Sequence, residues 1–245
     1  MITLNKIPMK TTTIRKKYAH HLILLIMFAG VISVNTFASK QERNVKNFNK
    51  IEVSGGFKVI LTQGNTEKLV IQADDNILPK IITEVRSGTL IIKLENNTNI
   101  SNGKDLIAEL TFINLDNIDL SGAVNITGTN PMKFSNLEID GSGATKISLN
   151  LSATKLDLDF SGASEITLKG NAPEFEADLS GASEIEAAEF LTRRCNIECS
   201  GASNARVNVT ESLTVEGSGA SKISYTGNPA SVDTDISGAS KISKF

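Results

Sequence analysis

Seven carboxylates recur along the chain at one place in a repeating pattern: Asp119, Asp140, Asp159, Asp178, Glu198, Glu216 and Asp235 each stand two residues before a Ser-Gly-Ala tripeptide. A second set, Glu138, Asp157, Glu176 and Asp233, lies two residues earlier still. If the units stack in register, neighbouring carboxylates stand about 5 Å apart. Oxygen-rich clusters of this kind suit Ca²⁺, the one cofactor the pattern would accommodate. The chain carries neither an EF-hand loop nor a Gly-Gly-x-Gly-x-Asp nonapeptide. The spacing also matches the roughly 5–5.5 Å of the carboxyl pair in retaining glycosidases, but any stacked acid ladder produces that match. The simpler reading is a row of solvated charges that keeps a repetitive strand surface soluble and discourages lateral sheet association.

What the chain lacks narrows its chemistry further. Its two histidines, His20 and His21, fall within the first 38 residues, and beyond them there is no Trp and a single Tyr, Tyr225. A Ser-His-Asp triad and every His-containing metal site are thereby excluded from residues 39–245. The repeated Ser, present seven times with no base beside it, is a poor nucleophile. No Walker loop or dinucleotide fingerprint is present. The expected protein is therefore not an enzyme. A carbohydrate-active β-helix enzyme is the alternative, and its site would interrupt the repeat, at Arg193-Arg194 or in the Asn- and Gly-rich residues 96–105. The arginines could clamp a carboxylated sugar, though a solvated corner explains them as well. Residues 96–105 read as a connection or a binding loop.

The Ser-Gly-Ala units begin at Ser121, Ser142, Ser161, Ser180, Ser200, Ser218 and Ser237, a period of about 19 residues that marks a solenoid. Ser54-Gly55-Gly56 is a degenerate earlier member. Before each Ser the residues alternate, with Leu120, Phe160, Leu179 and Cys199 adjacent to it and Ile118, Ile139, Leu158, Ile197 and Val215 two positions back. After each tripeptide Ile126, Ile147, Ile166, Ile185, Ala205, Ile223 and Ile242 continue the alternation. A period of two signifies strands with one buried face. Helices are disfavoured, since a Gly in every unit would cost each about 1 kcal/mol. A unit of this length circles a small cross-section and returns one strand spacing above its start. The expected fold is all-β: a single-stranded parallel β-helix, or β-solenoid, with coils of about 19 residues. The seven serines then mark a structural corner where Gly permits a positive φ and small neighbours stack closely, with the Ser hydroxyls forming a ladder or satisfying corner backbone groups. Lys146, Lys222 and Lys241 share one outward position with Glu165 and Glu184, which reads as balanced surface charge. Cys195 and Cys199 would lie about 13 Å apart on one strand, too far for a disulfide, and read as core residues.

Lys10, Arg15, Lys16 and Lys17 precede an apolar run over residues 22–34, and Thr36-Phe37-Ala38 follows as a small-residue cleavage site. This is the pattern of a secretory leader over residues 1–38. Its 13 apolar residues are short for a bilayer span of about 20, and no Cys stands directly after the cleavage site. An exported product, periplasmic or at the cell surface, is expected, with no stable membrane insertion after cleavage. Residues 39–245 carry 20 basic and 27 acidic side chains, a net charge of −7. That balance disfavours nucleic acid, which requires phosphate neutralisation by Lys and Arg. The predicted β-helix domain divides into opening strands over 45–115 and regular coils over 116–245, with the final KISKF leaving a coil edge through which homo-oligomers could form.

The segment FNKIEVSGGFKVILTQGNTEKLVIQADDNILPKIITEVRSGTLIIKL, residues 48–94, followed by the serial Ser-Gly-Ala coils, resembles the bacterial auto-transporter adhesin head GIN domain family. The resemblance covers most of residues 39–245. It implies a right-handed β-helix exported to the envelope, with no catalytic residues to carry over. It points to a secreted adhesion or ligand-binding module whose partner is a glycan or an envelope or host-surface protein. A structural, self-associating envelope component is the further alternative.

Overall fold

Alternating apolar residues build the stack directly. In the computed structural model, which describes residues 39–98 and 105–245, strand Lys155–Gly162 pairs in parallel with Asn136–Gly143 on one side and Glu165–Leu179 on the other, so that Leu158 aligns with Ile139 and Ala177. Past the corner, Lys146–Ser152 lies parallel to Asn125–Gly128 and to Glu165–Leu179, placing Ile147 between Ile126 and Ile166. These inward side chains are buried and form one continuous core. The result is a β-solenoid of stacked parallel coils, without an α-helix among the described residues. The leader pattern over residues 1–38 and residues 99–104 of the Asn- and Gly-rich segment lie outside the described residues.

The corner rests on glycine. Gly162 has φ of 101°, and the Ala163 N–H donates to Gly143 O of the preceding coil at 2.8 Å. A Cβ on Gly162 would stand 2.4 Å from that same oxygen. The Gly column thus permits both the left-handed backbone and the close approach of successive corners.

The opening residues divide between coil and cap. Lys50–Gly55 lies parallel to Asn117–Gly122 with Ser54 aligned on Ser121, so the degenerate Ser-Gly-Gly unit is a true coil ahead of the first Ser-Gly-Ala. The chain between them folds back over the other side of this coil. Thr89–Leu94 pairs parallel with Lys50–Gly55, and Leu106–Phe112 with Phe57–Gln63. Antiparallel strands then finish the stack: Ile81–Arg86 on Thr89–Leu94, Lys68–Ala73 on Leu106–Phe112, and Ser39–Arg43 on Lys68–Ala73. Ser87 and Gly88, both at positive φ, make the two-residue hairpin turn of this cap.

At the opposite end, Ser231–Ile236 and Lys241–Lys244 form the last coil. Thr234 and Lys244 stand there in columns occupied by Val215 and Tyr225 one coil earlier. Polar residues at core-facing positions suit a coil whose outer side meets water.

Candidate functional site

The strand before each corner presents its charged side chains outward. Asp119, Asp140, Asp159, Asp178, Glu198, Glu216 and Asp235 align one upon the next through successive parallel pairs. Glu52 aligns with Asp119 and extends the column to eight members. Glu52 stands two residues before Ser54 at the degenerate Ser-Gly-Gly corner, and so falls outside a pattern keyed on Ser-Gly-Ala. The second column runs through Glu138, Asp157 and Glu176, then turns neutral at Asn196 and Thr214 before ending at Asp233. Open grooves follow this face, one bordered by Glu138, Asp140, Asp159, Glu176, Asp178 and Glu198, the next by Glu198, Ser200, Glu216, Ser218, Asp235 and Ser237.

The carboxylates are not electrostatically equivalent. Asp140 is half-buried, and partial desolvation raises its pKa above the ordinary value; a hydrogen bond from the Asn117 amide at 3.1 Å works against this, while Glu138, Asp119 and Asp159 add to it. Desolvation followed by the charge of Asp159 raises Asp178 likewise. Lys155 reaches Glu176 of the next coil at 2.9 Å and Asp157 of its own strand at 3.0 Å, and these bonds raise its own pKa. Part of the second column is thereby neutralised from within, leaving the first as the continuous acidic line. Among the described residues, no group of three or more His, Cys, Asp or Glu side chains is gathered to hold a metal ion. The acids run in a row, whereas Ca²⁺ takes six to eight oxygens around one point.

The corner serines stand beside the Gly column, with Ser180 Oγ and Ser237 Oγ donating long bonds of 3.4 Å to Phe160 O and Gly217 O. At the corners the buried hydroxyls lie three residues further on, at Thr145, Ser164, Ser183, Ser203 and Ser221. Thr145 Oγ1 donates to Ser164 Oγ at 2.8 Å. Ser183, Ser203 and Ser221 donate to the carbonyls of Ser180, Ser200 and Ser218 at 2.9–3.0 Å. These hydroxyls belong to the fourth residue of a Ser-Gly-Ala-Ser/Thr unit, present in every repeat but the first, where Val124 stands; Thr145 and Ser164 bond coil to coil, while Ser183, Ser203 and Ser221 each satisfy a carbonyl of their own corner.

The strand after each corner carries mixed charge. Lys146 pairs with Glu165 at 2.7 Å, Lys169 with Glu189 at 2.9 Å, and Arg206 with Glu186 at 2.9 Å. Arg193 pairs with Glu211 and Arg194 with Glu174, so the guanidinium groups considered as a sugar clamp are already engaged by carboxylates of this chain. Cys195 and Cys199 are free and buried. Burial raises both thiols, Cys199 to about 12 with a further push from Asp178.

Several solved structures share this architecture. A Bacteroides fragilis protein described as a "putative adhesin" superposes with a TM-score of 0.79 at 25% identity, over 84% of this chain and 96% of its own. A Parabacteroides distasonis protein described as a "putative lipid binding protein" gives a TM-score of 0.64 at 20% identity, over 86% and 98%. A "putative adhesin" from Parabacteroides merdae gives 0.62 at 20% identity, over 86% and 97%. Comparison with curated proteins yields no match. No helix among the described residues is long and apolar enough to cross a membrane. Residues 47–229, which hold the opening coil, most of its cap and nearly all the Ser-Gly-Ala coils, match the model of one family, and the chain belongs to that family, described as "Putative auto-transporter adhesin, head GIN domain".

Proposed function

We propose that the protein is an exported, non-enzymatic adhesion module of the cell envelope that engages a basic protein surface, of the envelope or of a host, through its acidic face. The observation that carries this reading is the unbroken column from Glu52 to Asp235, eight carboxylates in register along one sheet. Like charges stacked at strand spacing repel by about 1 kcal/mol per neighbour in water before screening by salt. A cationic partner relieves that repulsion along the whole line, and the field of such a row accelerates and orients the encounter. The face is built from regular strands, so it offers a repeated, extended contact rather than a single reaction centre.

Protease shaving of intact cells tests the export half of the reading, with detection of residues 39–245 against a periplasmic control. Release by external protease with the control intact supports a surface module; full protection until the outer membrane is opened overturns it. For the face, Asp119, Asp159, Asp178 and Asp235 are changed together to Asn and adhesion to basic matrix proteins is measured. Adhesion that survives the change, or that shows no dependence on salt, rules the acidic column out.

A further inference from the structure

On the sheet that follows the corners, near the last coil, a groove of about 490 Å³ is bordered by Glu184, Asn204, Arg206, Lys222, Ser224, Ser243 and Phe245, with Glu184 at one end of a column that runs through Asn204 to Lys222. Three features set it apart from the rest of the surface. Phe245 is the one exposed phenylalanine among the described residues, at 51% of its full accessibility. Its backbone N–H donates to Tyr225 O at 3.0 Å, and the Arg206 guanidinium lies over one ring face at 4.4 Å. Arg206 is itself held by Glu186, so the ring is oriented from below while much of it remains open. The second feature is polar. The Asn204 amide and the exposed Ser243 hydroxyl, which lies 3.3 Å from that of the buried Ser224, line the same groove as the ring.

The third feature is charge. Lys222 and Lys241 are adjacent in register, and neither has a carboxylate partner among the described residues, whereas Lys146, Lys169 and Arg206 on the same sheet are each ion-paired. Two uncompensated ammonium groups side by side, in a molecule whose described part is acidic overall, leave a local positive field that an anion would relieve. A flat apolar ring suits the C–H face of a sugar, the Asn204 amide and the Ser243 hydroxyl suit its ring hydroxyls, and the lysines suit an acidic substituent. We infer that this groove binds an anionic oligosaccharide, its sugar ring stacked on Phe245 and its carboxylate or sulfate group held at the end away from Glu184 by Lys222, with Lys241, the register neighbour of Lys222 outside the groove's lining, beside it. The site is separate from the acidic column, which repels the same ligand, so it stands or falls independently of the basic-partner reading.

Calorimetric titration of the full chain at low salt tests the assignment, using three probes of matched length: an oligogalacturonate, a sulfated galacto-oligosaccharide and a neutral galacto-oligosaccharide. Saturable binding to one or both anionic probes, about tenfold or more tighter than to the neutral one, is expected, and the preferred probe tells carboxylate from sulfate. Phe245→Ala should weaken that binding about tenfold, and Lys222→Gln with Lys241→Gln should weaken it and flatten its dependence on salt. All three residues are exposed, and an unchanged far-ultraviolet spectrum confirms that the variants remain folded. No saturable binding to either anionic probe, equal binding of the neutral probe, or variants that bind like the wild type would each overturn the assignment.

Discussion

The ring of Phe160 fills the space that Gly141 leaves open in the coil before it: a Cβ built on Gly141 would stand 2.2 Å from Phe160 Cε1. The two residues are in register, within a column that runs Leu120, Gly141, Phe160, Leu179. Core volume is therefore balanced between coils as well as within them. Gly141→Ala should overpack this point and cost about 1–3 kcal/mol. Phe160→Leu alone should also destabilise, through the cavity it leaves. The double variant should lose less than the two single losses combined, because the smaller ring position accepts the added methyl. Urea denaturation of the four proteins measures the coupling, and simple additivity would show that the two side chains do not compete for one volume.

Corner glycines differ in what they tolerate. Gly162→Ala would force a left-handed backbone on Ala and press its methyl against Gly143 O at 2.4 Å. A loss of about 2 kcal/mol or more is expected, since backbone strain and a clash with a fixed carbonyl act together. Gly56→Ala is the control: a Cβ there meets nothing within 4 Å, and a change within about 0.5 kcal/mol is expected. Equal thermal shifts for the two would remove the close corner stacking as the reason for Gly.

Period and alternation made the coils legible because each acts locally: residues such as Ile147 and Leu158 bury where a two-residue repeat places them. The cap was not legible. Lys68–Ala73, with the sequence KLVIQA, alternates like any coil strand, and alternation carries no information on whether its neighbour runs parallel or antiparallel. The acidic column was legible apart from Glu52, whose corner reads Ser-Gly-Gly. The buried hydroxyls were overlooked because Ser at the fourth position resembles the exposed Ser at the first. Ser203 separates the two roles: it is fully buried and donates to Ser200 O at 2.9 Å. Ser203→Ala should cost about 1 kcal/mol, while Ser200→Ala, at a partly exposed position, should cost less. The reverse order would show that the first Ser of the unit, not the fourth, is the hydroxyl that holds the corner.

Cys195 and Cys199 alternate on one strand and both face the core. Burial disfavours the thiolate, the form that reacts with disulfides and oxidants. The folded protein should therefore leave both thiols untouched by a thiol-reactive disulfide reagent at neutral pH, and unfolding in guanidinium should release two reactive groups. Rapid labelling of the native protein would show that the strand opens more readily than its packing implies.

The raised pKa values of Asp140 and Asp178 fix the sign of one pH effect. Each carboxyl holds its proton more tightly when folded, where it is partly desolvated among other acids, than when unfolded. Between the ordinary carboxylate value of about 4 and the raised folded values, the native state thus binds more protons, and stability falls as pH rises. Above that window the penalty is fully present; acidification through it toward the ordinary value removes it. Asp140→Asn with Asp178→Asn abolishes the titration while retaining an acceptor for the Asn117 amide. The double variant should accordingly exceed the wild type in thermal stability by more at pH 7 than at pH 4. A difference that is constant with pH, or larger at the acidic end, would show that these carboxylates are freely solvated and that the column stores no repulsion for a basic partner to relieve.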